Sequence, residues 1–182
     1  MTNALAVLAG ALEHLRIPYL IGGSLASSAH GVLRATLDVD ILAAVRAEHA
    51  APLCAVLGDG WYAEAAEIRS AVAASRAFNL IHIPSVRKFD IFPATSDFHA
   101  SELSRATRQE VDCFGERTVC PVATAEDVLL AKLQYQAGGQ VSERQWADIT
   151  GILSANRDLD FCYLRDWART LGVEALLDRA RL

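Results

Sequence analysis

The spacing of apolar residues changes character once along this chain, near Val122, and that change limits the folds open to it. Before it, short runs with the two-residue alternation of strands are interleaved with runs at the three-to-four-residue spacing of helices; after Thr124 only helical spacing remains. Leu5, Leu8, Leu12 and Leu15 predict a helix that Pro18 stops, and Tyr19-Leu20-Ile21 predicts a short strand followed directly by Gly22-Gly23. Ser24 is placed to cap a helix over 25–30 that Gly31 ends. Asp38-Val39-Asp40-Ile41-Leu42 alternates acidic with apolar residues, as a strand with one polar and one buried face does. Further helices are expected over 47–57, weakly over 64–75, and over 96–105. Strands are expected over 78–83 and 88–92, joined as an antiparallel pair at Pro84-Ser85, with a hairpin over 110–122 around Gly115. Beyond Thr124 the helical runs reach Gly138-Gly139, restart at Ser142 through Leu153, and recur over 161–171 and 174–181. This order predicts an α+β fold: a core of strands and helices over 1–122 and a C-terminal helical portion over 123–182, packed together as one unit.

A chain of 182 residues with 52% hydrophobic and 21% charged residues has enough apolar side chain to bury a core without staples. The net charge of −5 gives no overall basic footprint for nucleic-acid phosphates. The start of the chain lacks the basic, then continuously apolar, pattern of a secretory signal, and polar residues interrupt every later apolar run before 18 residues; a cytoplasmic protein that does not span membranes is expected. Cys54, Cys113, Cys120 and Cys162 show no metal-ligand spacing and read as buried thiols, although Cys113 and Cys120 are placed to face each other across the hairpin.

The chemistry is carried by acids. Two apart in a strand, Asp38 and Asp40 present carboxylates on one face roughly 6–7 Å apart. At an effective dielectric near 20 their repulsion is about 2–3 kcal/mol. Divalent cations relieve it, since hard carboxylate oxygens suit Mg²⁺, which completes its shell with water and substrate phosphates. An isolated Asp-x-Asp reads first as a solvated pair at a strand end. Two further features weigh against that reading. Gly22-Gly23-Ser24 at a strand-to-helix turn lets backbone N–H groups approach an anion, with the helix start behind them and a serine hydroxyl beside them. Asp90 stands inside the apolar strand Phe89-Asp90-Ile91-Phe92, where an unpaired charge is costly.

Gly22-Gly23-Ser24, Asp38-Val39-Asp40-Ile41 and Phe89-Asp90-Ile91 together resemble the signature of the nucleotidyltransferase superfamily with the polymerase-beta-like fold. In that superfamily a Gly-Gly or Gly-Ser turn precedes an Asp-x-Asp pair, and a later strand supplies a third acid. Arg34-Ala35-Thr36-Leu37-Asp38 is similar to a stretch found in a bacterial branch that includes the AbiEii-type abortive-infection toxins. The segments from Glu126 to Leu133 and from Glu143 to Ile149 resemble the helical half of that branch.

The resemblance implies a mixed sheet flanked by helices, and transfer of a nucleoside monophosphate from a nucleoside triphosphate such as ATP to an acceptor hydroxyl. Asp38, Asp40 and Asp90 are then the catalytic and metal-binding acids for two Mg²⁺ ions, with Asp90 as candidate base, and Gly22, Gly23 and Ser24 bind the nucleotide. Arg34 is placed by the pattern near the phosphates or the metals, and an ordinary surface arginine fits equally. Lys132 is either a triphosphate contact or a lysine whose stem lies on the core. Arg144 and Asp148 read first as an i,i+4 ion pair. His14, His30, His49, His82 and His99 have no ligand spacing, and Trp61, Trp146 and Trp167 read as core. The acceptor is left open among RNA (tRNA included), protein and small molecule, as is a toxin role with an antitoxin partner. The rivals are a catalytically inactive nucleotide-binding or interaction module of the same fold, and a drug-modifying nucleotidyltransferase.

Overall fold

Strand and helix alternate in the order that the apolar spacing predicts, with one short strand added. The structure is a computed structural model that describes residues 3–32, 38–139 and 142–181. Its elements are α1 (Ala4–His14), β1 (Tyr19–Ile21), α2 (Gly23–Ala29), β2 (Asp38–Ala43), α3 (Ala50–Leu57), β3 (Trp61–Tyr62), α4 (Ala65–Ala73), β4 (Phe78–His82), β5 (Arg87–Pro93), α5 (Asp97–Arg105), β6 (Thr107–Cys113), β7 (Glu116–Val122), α6 (Ala125–Ala137), α7 (Glu143–Ala155), α8 (Phe161–Thr170) and α9 (Glu174–Ala180). The strands form one seven-stranded mixed sheet in the order β3-β4-β5-β2-β1-β7-β6. β2 lies between antiparallel β1 and parallel β5, and β1 runs parallel to β7. The fold is thus the expected α+β arrangement, a mixed sheet flanked by helices. Among the described residues no helix is long and apolar enough to cross a membrane.

Local chemistry accounts for the boundaries. Thr124 caps α6 by accepting from the Asp127 N–H, Ser96 caps α5 through the His99 N–H, and Asp160 caps α8 through Cys162 and Tyr163. Ser24, however, is not a cap. Gly22 occupies that position and Ser24 lies inside the first turn of α2, because the chain turns into the helix at Gly23, whose φ is +55°. The stretch 47–49 is a separate 3-10 turn ahead of α3. The two-residue strand β3 is too short for alternation to mark it, and β6 begins three residues before the expected hairpin.

The β6–β7 turn places Phe114 and Gly115 at φ +59° and +79°, the left-handed pair of a tight two-residue hairpin. Its register sets Cys113 opposite Glu116 and Cys120 opposite Gln109, so the two cysteines do not face each other across the hairpin. Both are free thiols, and burial pushes each up to about 11.

The helical portion is bound to the rest of the chain by polar contacts as well as apolar ones. The Asp127 carboxylate, fully buried, accepts from Tyr163 Oη at 2.6 Å, Thr124 Oγ1 at 2.9 Å and Arg105 Nε at 3.4 Å, joining α5, α6 and α8. Phe98 of α5 packs on Trp167 of α8, ring centroids 5.2 Å apart. His30 Nε2 lies 2.7 Å from the Ala123 carbonyl, and Asn156 donates to the His30 carbonyl at 3.1 Å, tying the end of α2 to α6 and α7.

Glu102 of α5 is buried beside Asp127, and burial followed by that neighbouring charge raises its carboxyl from 4.5 to about 8. A raised acid is protonated in the folded chain where the unfolded chain has already ionised. Its contribution is therefore favourable at low pH and is lost as pH rises from about 4.5 through 8. Glu102→Gln is expected to stabilise the protein by roughly 1–3 kcal/mol at pH 8.5 and by almost nothing at pH 4.5, as read by urea unfolding at the two pH values.

Candidate active site

β2 and β5 run parallel in a register that sets Asp38 beside Lys88 and Asp40 beside Asp90. Residues paired across adjacent strands share a face, so the acids at 38, 40 and 90 lie on one side of the sheet. The intervening Val39, Ile41, Phe89 and Ile91 point to the other side and are at most 1% exposed. That apolar face locks the parity: a one-residue slip of either strand would bury the charges and expose the core.

The turn after β1 closes against the same place. The Gly22 N–H donates to the Asp40 carbonyl at 2.9 Å, continuing the β1–β2 pairing one residue past the strand. Gly23 is required there on two grounds. Its φ lies in the left-handed region, and a side-chain carbon on it would overlap Asp40 Oδ2 and stand 2.6 Å from Asp40 Cγ. The carboxylate is seated directly against the glycine Cα at the start of α2.

Burial raises the Asp40 carboxyl above the ordinary aspartate range, and the charges of Asp90 and then Asp38 push it further in the same direction, while Lys132 and Lys88 offset part of this. Among the described residues no donor is hydrogen-bonded to that carboxylate. The neighbouring acids do have a partner. Lys88 Nζ stands 2.9 Å from Asp90 Oδ2 and 3.5 Å from Asp38 Oδ1, and its bond to Asp90 raises the ammonium above its usual range. Among the described residues the acids do not form a closed metal cage as they stand, since the lysine lies between two of them. Reading the sequence for acids passes over Lys88. The signal was present, because Lys88 is two residues before Asp90 in an alternating strand and must share its face.

Lys132 of α6 is 5% exposed, with Nζ 2.8 Å from Asp148 Oδ2 and 2.9 Å from Gln145 Oε1 on α7. Asp148 thus forms its ion pair across two helices with Lys132, where i,i+4 spacing had pointed to Arg144. The Lys132 charge still reaches Asp40, which places the helical portion beside the sheet's acidic face. Arg34 lies outside the described residues. His82 and His99 have structural partners: His82 Nδ1 meets Ser85 Oγ at 2.7 Å under the Trp61 ring, and His99 accepts from the Thr95 N–H. Trp61 is buried on Phe89, and Trp146 lies under the Arg179 guanidinium.

Neither protein-family models nor curated proteins give a match to this chain. Solved structures do. The chain is similar to the solution structure of the antibiotic-resistance factor ANT(2'')-Ia, with a TM-score of 0.51 at 16% identity over 97% of this chain and 94% of that one. It is likewise similar to the crystal structure of ANT(2'')-Ia in complex with adenylyl-2''-tobramycin, with a TM-score of 0.51 at 14% identity over 92% and 94% of the two chains. A nucleotidyltransferase-like protein from Paracoccidioides brasiliensis gives 0.45 at 19% identity over 97% and 89%. At such identities the first two likenesses establish the fold, which is nucleotidyltransferase-like.

The seat of Asp40 against Gly23 generates a coupling. Gly23→Ala combines a left-handed backbone penalty of about 1–2 kcal/mol with the overlap on Asp40, and is expected to cost about 3 kcal/mol or more. Asp40→Ala removes the overlap but not the backbone penalty. The double variant should therefore be more stable than the sum of the single losses predicts, by about 1 kcal/mol or more. Urea unfolding of the four proteins checks this; strict additivity would mean that the carboxylate does not lie against the glycine.

Proposed function

We propose that this chain is a metal-dependent nucleotidyltransferase that moves a nucleoside monophosphate from a nucleoside triphosphate to an acceptor hydroxyl. The observation that carries the reading is the Asp40–Asp90 register on parallel strands, with the Asp40 carboxylate half-buried against Gly23 at the start of a helix. Such an arrangement is electrostatically unfavourable by itself and gains a purpose beside a cation and a phosphate chain.

The donor set fits Mg²⁺: carboxylate oxygens are hard ligands, and Asp40 lacks a hydrogen-bond donor among the described residues. Asp38, Asp40 and Asp90 would hold the two ions, which when bound supply charge neutralisation for the triphosphate and a lowered pKa for the attacking hydroxyl. Gly22, Gly23 and Ser24 would carry the phosphates on backbone N–H groups and the serine hydroxyl. Asp90 would accept the acceptor's proton on a carboxylate oxygen as that hydroxyl oxygen bonds to the α-phosphorus. The α–β phosphoanhydride bond breaks in line with it, and pyrophosphate leaves. Lys132, although engaged with Asp148, adds positive potential behind Asp40. Arg34 is assigned to the phosphates by the sequence pattern alone.

Of the three acceptor classes we favour a small molecule. The net charge of −5 and the three acids on one face of the sheet disfavour a polyanionic RNA. The antibiotic-resistance factor whose fold this chain shares was solved in complex with adenylyl-2''-tobramycin. A toxin role with an antitoxin partner rests only on the resemblance of the 34–38, 126–133 and 143–149 segments and has no structural observation behind it. An inactive module of the same fold would keep the fold and lose the transfer.

Incubation with each α-labelled nucleoside triphosphate and Mg²⁺, divided among total RNA, total protein and the small-molecule fraction of a bacterial lysate, tests the proposal. Label is expected in the small-molecule fraction, with equimolar pyrophosphate, and Asp90→Asn is expected to lower it at least about 100-fold. Label in RNA or protein would retain the chemistry and overturn the acceptor. No label and no pyrophosphate with any triphosphate would favour the inactive module.

A further inference from the structure

Lys88 has no part in the chemistry just described, yet its ammonium sits between Asp38 and Asp90. It reaches there because Asp38 and Lys88 are register partners on β2 and β5, with Asp90 two residues further along the same face. It differs from the other lysine near the site. Lys132 is almost wholly buried and held by Asp148 and Gln145, so it cannot leave without stranding a buried charge. The Lys88 side chain is 41% exposed, and a flexible four-carbon stem can swing its head into water at little cost.

We propose that Lys88 is a placeholder cation that keeps divalent metal out of the nucleotide-free site, so that metal and triphosphate enter together. The inference rests on the nucleotidyltransferase reading above. A divalent ion arriving alone must displace an ammonium that already pairs with two of the acids, and the displaced ammonium gains no new partner in return. A metal–triphosphate complex brings its own negative charge, which offers the displaced ammonium a new partner. The lysine thereby couples the two binding events, and a protein lacking it binds metal more readily when no nucleotide is present. Loss of an ordinary cross-strand ion pair would tighten metal binding with and without nucleotide alike, whereas loss of a placeholder tightens it chiefly when nucleotide is absent.

The probe is Mn²⁺, followed by the loss of the free-ion electron paramagnetic resonance signal, for wild type, Lys88→Gln, Lys88→Met, Asp40→Asn and Asp90→Asn. Each is titrated alone and with the α,β-methylene analogue of the triphosphate used, ATP or GTP, and the Mn²⁺ taken up by the analogue without protein is measured separately and subtracted. Without nucleotide, Lys88→Gln and Lys88→Met are expected to bind Mn²⁺ about five- to tenfold more tightly than wild type. The tightening produced by the analogue should be smaller in both than in wild type. Equal or weaker Mn²⁺ binding by both Lys88 variants, or a tightening that is the same with and without the analogue, overturns the placeholder role. If instead the two Asp variants bind Mn²⁺ as wild type does, or if no protein binds Mn²⁺ even with the analogue, the metal-site reading itself fails and takes this inference with it.

Discussion

The side-by-side placement of Asp40 and Asp90 on two parallel strands is the constraint around which the rest of this structure is arranged. Carboxylates so placed repel one another, and burial adds to the cost by raising the Asp40 carboxyl. The molecule tolerates this because the opposite face of the same strands is among its best-packed regions. Val39, Ile41, Phe89 and Ile91 fix the strand parity that keeps all three acids on one face. Stability gained on one face of the sheet maintains an unfavourable arrangement on the other.

Three features act on that arrangement from different directions. Gly23 brings the start of α2 into contact with Asp40, which a side chain would prevent. Lys132 reaches it from the helical portion, its ammonium fixed by Asp148 and Gln145. Lys88 compensates the other two acids from within the sheet. The positive charge around the acids thus comes from one buried and one partly exposed ammonium.

Most of the fold was legible in the sequence because it follows from local rules. Strand parity assigned Asp38, Asp40 and Asp90 to polar faces, and Ser96, Thr124 and Gly115 marked ends and turns that the structure retains. What escaped was set by contacts distant in sequence. β3 exists because two residues pair with Ile81 and His82, not because its own sequence alternates. Asp148 meets Lys132 across two helices, although a partner four residues away was the local expectation. The Ser24 cap failed because a positive φ at Gly23 starts the helix earlier. Lys88 was missed for a different reason: attention to acids that need a cation overlooked the cation already present in the same strand. The roles of the site residues are legible only through resemblance, and at 14–16% identity the structural likeness extends to the fold and no further.

The central claim is that the acids at 38, 40 and 90 are kept together for a cation and a triphosphate, and thermal melts of wild type and Asp40→Asn test it without knowledge of the acceptor. In EDTA the variant should melt higher, by the equivalent of about 1–2 kcal/mol, because neutralising Asp40 relieves its repulsion with Asp90 and Asp38. In Mg²⁺ with the matching nucleoside triphosphate the order should reverse, since ligands that bind only the folded state stabilise it by mass action and the variant has lost a ligand-binding acid. A variant less stable than wild type in EDTA, together with a wild type indifferent to Mg²⁺ and to every triphosphate, would contradict the account and leave the acids as a solvated surface cluster.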